Sequence, residues 1–194
     1  MILENLKKYN ILLASKSPRR QNLLKELGIK FNTITNINTN ETYPDNIDII
    51  KVPEYLAKKK AQSYTKIIIN NNLLITADTI VILNNQIINK PHNKQNAKEI
   101  LNKISGKEHT VITGVCITSE KKQICFSEKS KVFFDNLTNQ EIDYYINKYN
   151  PIDKAGAYGI QEWIGYIGIK KIEGSFYNIM GLPIQKLYKH LKNY

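Results

Sequence analysis

Ile11-Leu12-Leu13-Ala14-Ser15-Lys16-Ser17-Pro18-Arg19-Arg20 is the stretch whose reading decides the fold. Its apolar tetrad, residues 11–14, has the length and character of a buried strand. Ser17 suits a helix N-cap, and Pro18 suits the first helical position, where a missing N–H costs nothing. Leu23, Leu24 and Leu27 follow as a helical stripe closed by Gly28. The segment therefore reads as strand, tight loop, helix. Arg19 and Arg20 fall in the first helical turn, where the helix dipole opposes a cation by about 0.3–1 kcal/mol. An anion at the helix start reverses that sign, because backbone N–H groups and two guanidiniums converge on it. The chain has 28 Lys+Arg, yet Arg19 and Arg20 are its only arginines. A planar fork that grips phosphate cannot be replaced by a point charge on a flexible stem. The plain alternative is a capped helix with two solvated arginines.

A length of 194 residues allows one domain, or two lobes of one fold. A hydrophobic content of 42% and a charged content of 23% are those of a globular protein. The formal charge of +11 invites a polyanionic partner: nucleic acid, a membrane surface or a nucleotide. The lysines are scattered, however, and accompany an excess of Asn and Ile, as AT-rich coding imposes, so the charge carries little weight. Cys116 and Cys125 have neither CxxC nor zinc-site spacing. They are expected to pack in the core, with no disulfide framework, as in a reducing compartment. Residues 1–5 show no apolar signal-peptide core. The longest apolar stretch, 73–83, is interrupted by Asp78 and falls short of the ~20 residues that span a bilayer. The expectation is a cytoplasmic protein with no membrane partner.

Residues 1–10 read as a short extension. Residues 31–37 alternate as a strand, and 38–50 are polar and turn-rich. A helix is expected over 53–64, opened by Pro53, with Tyr55, Leu56 and Ala57 inward and Asn70-Asn71-Asn72 beyond it as a breaker. A central strand over 73–77 is expected to break at Asp78-Thr79 and resume over 80–83. Asn84-Asn85 then turns the chain into a hairpin partner at 86–88. Asn93 caps a helix with Ala97, Ile100, Leu101 and Ile104 on one face. Strands are expected over 109–118, 123–126 and 129–134. Thr138-Asn139-Gln140-Glu141 is a capping box for a helix ending near Lys148. Six of the nine glycines lie between Gly156 and Gly181, which predicts a loop-dominated segment. Pro183 begins a last helix with Leu187 and Leu191 inward. No repeat or linker divides the chain, so the class is α/β or α+β with one mixed sheet.

Asp78 is the most informative carboxylate. Inside a buried apolar run it costs several kcal/mol unless paired, hydrogen-bonded or holding a metal. It reads as a general base or metal ligand at a strand end, or else as a structural Asp capping a bulge. On pattern alone Glu41 is a solvated loop residue, Lys60 a surface lysine, and Lys90 a residue held extended by Pro91. His92, His109 and His190 have no metal or triad spacing and are taken as structural. Tyr158 and Trp163 suit either base stacking or the core. Thr113-Gly114 suits a close backbone approach to a ligand, and Gln161 suits a base edge.

Taken in order, these blocks resemble a known family. Leu13-Ala14-Ser15-Lys16-Ser17-Pro18-Arg19-Arg20 resembles the opening signature of the Maf nucleoside triphosphate pyrophosphatases, and so does Ala77-Asp78-Thr79-Ile80-Val81 followed by Lys90-Pro91. Ile104-Ser105-Gly106, His109, Val111 and Thr113-Gly114-Val115 resemble its middle block. Lys154-Ala155-Gly156-Ala157-Tyr158-Gly159-Ile160-Gln161, Gly174-Ser175 to Asn178, and Gly181-Leu182-Pro183 resemble its C-terminal blocks. The resemblance runs from Ile11 onward and makes residues 1–194 a single Maf-like domain. It implies a two-lobed α/β fold with a mixed sheet around a cleft, related to the inosine triphosphatase fold. The implied reaction is hydrolysis of dTTP or UTP to monophosphate and pyrophosphate with a divalent cation, Mg2+ or Mn2+. By position, Asp78 is the implied proton acceptor. Arg19, Thr79 and Gln161 fall at specificity positions of the dTTP/UTP branch. Ser15, Arg20, Glu41, Lys60 and Lys90 match polar cleft positions, with Glu41 and Asp78 as the implied metal ligands. Glu162 departs from the family's usual glycine, and Trp163 follows it.

A triphosphate carries about four negative charges, so the site needs cations and backbone donors aimed at oxygens. Arg19, Arg20, Lys60, Lys90 and the helix start at Pro18 supply them. Modified nucleotides are further candidate substrates, in a house-cleaning role. The expected partner is the triphosphate, without stable nucleic acid, and a homodimer is compatible with the chain. Two other classes fit the same cradle: a nucleotide-binding regulator of cell division without turnover, and a basic nucleic-acid-binding protein.

Overall fold

Asparagines and glycines in the left-handed region punctuate the chain: Asn70 and Asn71, Asn84 and Asn85, Gly28 and Gly106 all have positive φ. The computed structural model describes residues 3–35, 37 and 39–194. In chain order the elements are β1 Asn10–Ala14, α1 Pro18–Glu26, β2 Asn32–Thr33, α2 Val52–Ser63, β3 Asn72–Leu83, β4 Gln86–Ile88, α3 Lys94–Ile104, β5 Glu108–Thr118, β6 Gln123–Phe134, α4 Asn139–Tyr149, α5 Trp163–Gly168, β7 Ile169–Glu173, α6 Phe176–Ile179 and α7 Ile184–Lys192. The sheet is mixed, in the order β2-β1-β3-β5-β6-β7, with β4 paired to β3. β1 runs parallel to β2 and β3, whereas β4 pairs antiparallel to β3 and β7 antiparallel to β6. This is the α/β class that the interleaved strands and helices predict.

Two units divide the chain, and β3, β5 and β6 each contribute residues to both. The first unit comprises residues 1–78, 113–128 and 181–194. Here Leu12, Ala14, Ala57, Ala61, Tyr64, Ile68, Leu74 and Cys116 form an apolar cluster between strands and α2. The buried hydroxyl of Thr76 donates to the Ala57 carbonyl at 2.7 Å, tying β3 to the middle of α2. At Gly114 an added Cβ would lie 2.3 Å from the Pro53 carbonyl carbon and the Glu54 nitrogen, so the bare glycine lets α2 begin directly on β5. The close approach at Gly114 is thus taken by the backbone of α2, not by the ligand that the sequence suggested. Leu3 and Leu6 are buried, and Asn5 Nδ2 donates to the Leu191 carbonyl at 2.8 Å. Residues 3–6 of the N-terminal extension are therefore packed into this unit.

The second unit comprises residues 79–112 and 129–180. Its core joins Ala97, Ile100, Leu101 and Ile104 of α3 to Ile142, Tyr145 and Ile146 of α4, with Val81, Phe134 and Tyr158. Asn93 caps α3 through a 2.7 Å bond from Asn96 N, and Thr138 and Glu141 form the capping box of α4. Asn84 and Asn85, at φ 50° and 60°, make the primed turn that a two-residue hairpin favours.

Several expectations are corrected. β2 is two residues long, and the strand expected over 31–37 falls partly on residue 36, outside the described residues, as does residue 38 of the loop that follows. Tyr55 is exposed, since the α2 stripe runs through Val52, Leu56, Ala57 and Ala61. β3 is unbroken across Asp78-Thr79, because the side chain at 78 finds a partner and the ladder continues. β6 is one strand where two were expected. The glycine-rich segment 156–181 carries α5, β7 and α6, its glycines serving close packing as much as loops. Residues 119–122 turn β5 into β6 and bring Cys116 opposite Cys125, Cα to Cα 4.1 Å, as a disulfide. The sheet pairing, which no CxxC spacing announces, overturns the expectation of two separate core thiols.

His109 is buried, with Nε2 on the Tyr158 hydroxyl at 2.8 Å. Burial lowers its pKa from 6.5 to about 4. The unfolded chain takes up this proton first, so the stability from a neutral His109 is complete above about pH 6.5 and is lost as the pH falls toward about 4, on the order of 3 kcal/mol. In His109→Gln, which keeps an acceptor for Tyr158, urea midpoints measured across that window should fall less steeply than in the wild type.

Candidate active site

The strand–loop–helix start is built as its residues dictate. Ser17 caps α1, accepting from Arg20 N at 3.5 Å, and Pro18 occupies the first turn. The buried Ser15 accepts from Ser17 N at 3.2 Å through Oγ, and from Gln21 Nε2 at 3.1 Å through its carbonyl. Ala14 pairs with Thr76 in the parallel register of β1 and β3, so the loop leaves β1 beside Ala77 and Asp78.

Arg20 reaches from α1 to the middle of β3. Its Nε donates to the Gly181 carbonyl at 2.7 Å and its Nη1 to the Ala77 carbonyl at 2.9 Å. Two bonds in a fixed fork explain why this position is arginine in a lysine-rich chain. Burial pushes the guanidinium pKa down; Asp78 pulls it up, Arg19 pushes it down, and Glu41 pulls it up. Arg20 therefore fixes the backbone one residue before Asp78 and places its charge in the field of that carboxylate. Arg19, half-buried, lies near enough for its charge to be felt at Arg20.

Asp78 is 8% exposed. Its Oδ1 lies 2.5 Å from Lys60 Nζ, and the same ammonium lies 2.9 Å from Glu41 Oε1. Lys60 comes from the last turn of α2, Asp78 from β3 and Glu41 from the loop before α2. Side-chain exposure is 15% for Lys60, 12% for Asp78 and 56% for Glu41, so the pair with Asp78 is the shielded one. Two carboxylates thus converge on one cation. Such hard oxygen donors suit Mg2+ or Mn2+, which complete their coordination with phosphate oxygens and water. No group of three or more His, Cys, Asp or Glu among the described residues could hold a metal by itself.

The other sequence-predicted residues belong to the second unit. Thr79 is half-buried and Lys90 is exposed before buried Pro91. Gln161 is half-buried, and its Oε1 is buried without a hydrogen-bond partner among the described residues. Tyr158 and Trp163 are taken up in packing, Tyr158 on His109 and Trp163 edge-on to Tyr144. His190 stacks on Phe126, consistent with a structural role. Sequence reasoning missed the contacts of Tyr145, Lys154 and Glu162. Lys154 belongs to the motif at residues 154–161 and Glu162 stands directly after it, whereas Tyr145 carries no signal beyond its place on a helix.

Residues 10–194 match the family model described as Maf-like protein. The chain belongs to the Maf-like family. It is 52% identical over 193 residues to the dTTP/UTP pyrophosphatase of Parabacteroides distasonis, covering 100% of both chains. It is 49% identical over 195 residues to the dTTP/UTP pyrophosphatase of Porphyromonas gingivalis strain W83, covering 100% of this chain and 98% of the relative. Among solved structures, the Staphylococcus aureus Ham1 protein aligns with a TM-score of 0.55 at 16% identity, over 95% of this chain and 98% of its own. That likeness shows the fold. No helix among the described residues of this Maf-like chain is long and apolar enough to cross a membrane.

Arg20→Lys keeps the charge but cannot satisfy both carbonyls. Leaving one buried acceptor unpaired should cost about 1–3 kcal/mol. Urea unfolding should show a lower midpoint with an unchanged slope.

Proposed function

We propose that this chain is a nucleoside triphosphate pyrophosphatase that hydrolyses dTTP and UTP to the monophosphate and pyrophosphate. The observation that carries the reading is the shielded Asp78–Lys60 pair, joined by Glu41, in the middle of β3 beside the carbonyl that Arg20 holds. The family membership and the full-length similarity to dTTP/UTP pyrophosphatases support the substrate class.

The roles follow from the chemistry. Asp78 Oδ1 takes the Lys60 bond, which leaves Oδ2 to accept a proton from the attacking water. As the water oxygen bonds to the α-phosphorus, the bond from that phosphorus to the α,β-bridging oxygen breaks. Pyrophosphate departs with the electron pair. Arg19, Lys60, Lys90, the Ser15 loop and the amides at the start of α1 are assigned to the phosphates. Glu41 and Asp78 would hold a divalent cation, which when bound neutralises charge on the leaving pyrophosphate. Thr79 and Gln161 are assigned to specificity. The buried Gln161 Oε1 offers the acceptor that N3–H of thymine or uracil requires, whereas cytosine presents an acceptor at that position. Modified pyrimidine nucleotides sharing that edge are further substrates.

A panel of canonical and modified triphosphates with Mg2+ or Mn2+, scored for pyrophosphate against orthophosphate, tests the reading. dTTP and UTP should lead, with pyrophosphate as the first product; orthophosphate would place the attack at the terminal phosphorus and overturn it. Asp78→Asn should lower kcat by about 10²–10⁴-fold with KM little changed. Unchanged turnover would remove Asp78 from the reaction.

A further inference from the structure

We infer that Tyr145, Glu162 and Lys154 act together as positioning residues that set the backbone carrying Gln161 and thereby the discrimination of the base; the inference rests on the specificity role given to Gln161 above. All of these residues belong to the second unit. Tyr145 is wholly buried on α4. Its hydroxyl donates to Glu162 Oε2 and accepts from Gly159 N at 2.9 Å. One phenol therefore grips the chain on both sides of Gln161.

Glu162 completes the clamp. Its Oε1 lies 3.3 Å from Lys154 Nζ, and that ammonium also bonds Asp153 Oδ1 at 2.8 Å. Lys154, only 7% exposed, stands at the start of the same segment. The Glu162 carboxylate folds back over its own loop: a Cβ added at Gly159 would lie 2.6 Å from the carboxyl carbon. Glu162 is thus an inward anchor, with glycine at 159 making room for it. Burial, with the bond to Glu162, pushes the Tyr145 phenol pKa up, which keeps it a donor.

The rest of the loop is equally constrained. Glu162 N donates to the Gly159 carbonyl at 3.0 Å, and Gly165 N donates to the Glu162 carbonyl at 2.8 Å. A Cβ at Gly165 would lie 1.9 Å from the Ile160 carbonyl oxygen. Tyr166 donates to the Gln161 carbonyl at 2.7 Å. Buried Ala157 takes φ 58°, a left-handed conformation that strains a non-glycine residue and that the surroundings enforce. A buried polar network satisfied to this degree is rigid, and a reading side chain must be held within about 0.5 Å to be selective.

The test compares kcat and KM for dTTP, UTP, CTP and GTP in the wild type, Tyr145→Phe, Glu162→Ala and Glu162→Gln, each checked for folding by thermal melting. Tyr145→Phe and Glu162→Ala should raise KM for dTTP and UTP about tenfold with kcat within about threefold, and so cut the dTTP-to-CTP preference about tenfold. Glu162→Gln retains an acceptor for Tyr145 and should recover most of that preference. Folded variants with lower melting temperatures and wild-type preference would overturn the inference; if Tyr145→Phe does not fold, the Glu162 pair decides. Hydrogen exchange at amides 159–162 judges the clamp independently of turnover: Glu162→Ala should exchange there at least about tenfold faster, and unchanged exchange would overturn it. Clamped amides in a wild type that shows no base preference would instead sink the role given to Gln161.

Discussion

A carboxylate set inside an apolar strand must be compensated, and the first unit is organised around doing so at Asp78. Thr76 and Ala77 precede it and Ile80 and Val81 follow, all buried. An unpaired charge there would cost several kcal/mol. Lys60 meets the charge, and Lys60 arrives only because α2 lies close on the sheet. Bare Gly114 admits the start of α2, and the Thr76–Ala57 bond holds its middle. Packing contacts of no chemical interest in themselves thus decide where the ammonium stands. Arg20 does the same for the backbone, pinning Ala77 so that the acid projects from a fixed point.

The second unit solves a different problem. Its core is conventional, two helices against strands, and the segment after α4 adds Ala157, Tyr158, Ile160 and Ile164 to it, but apolar contacts alone do not fix the positions of its backbone groups. Polar clamps take over: the Tyr145 hydroxyl, the two-carboxylate seat of Lys154, and the Asn178 amide, which donates to the Val111 carbonyl and to Ser130 Oγ. Such bonds specify geometry more sharply than apolar contacts do, because a donor and acceptor displaced by an ångström are lost.

What was legible in the sequence follows from range. The Ser17 cap, Pro18, the Asn93 cap and the capping box at Thr138 are local chemistry, and each appears where the residues announce it. Asp78 was legible because an acid in an apolar run violates the pattern. Lys60 was not, since one lysine among many carries no mark until a helix is laid on a sheet; only the family resemblance singled it out. The same blindness to sheet pairing hid the Cys116–Cys125 bond. The break expected in β3 at Asp78 had the opposite origin: polarity was read as irregularity, although a strand tolerates a charge once a partner stands opposite. Gln161 was marked by the family resemblance, and its buried amide oxygen, without a hydrogen-bond partner among the described residues, adds what the sequence could not show.

Asparagine occupies Asn70, Asn71, Asn84, Asn85 and Asn150, five of the six non-glycine positions with positive φ among the described residues. It is the bulky residue that tolerates that region most readily, since its short amide bonds locally. A coding drift that enriches asparagine is therefore absorbed at corners where a β-branched or aromatic replacement would be strained. The compositional bias that makes the chain look unusual thus has a harmless outlet in its reversals.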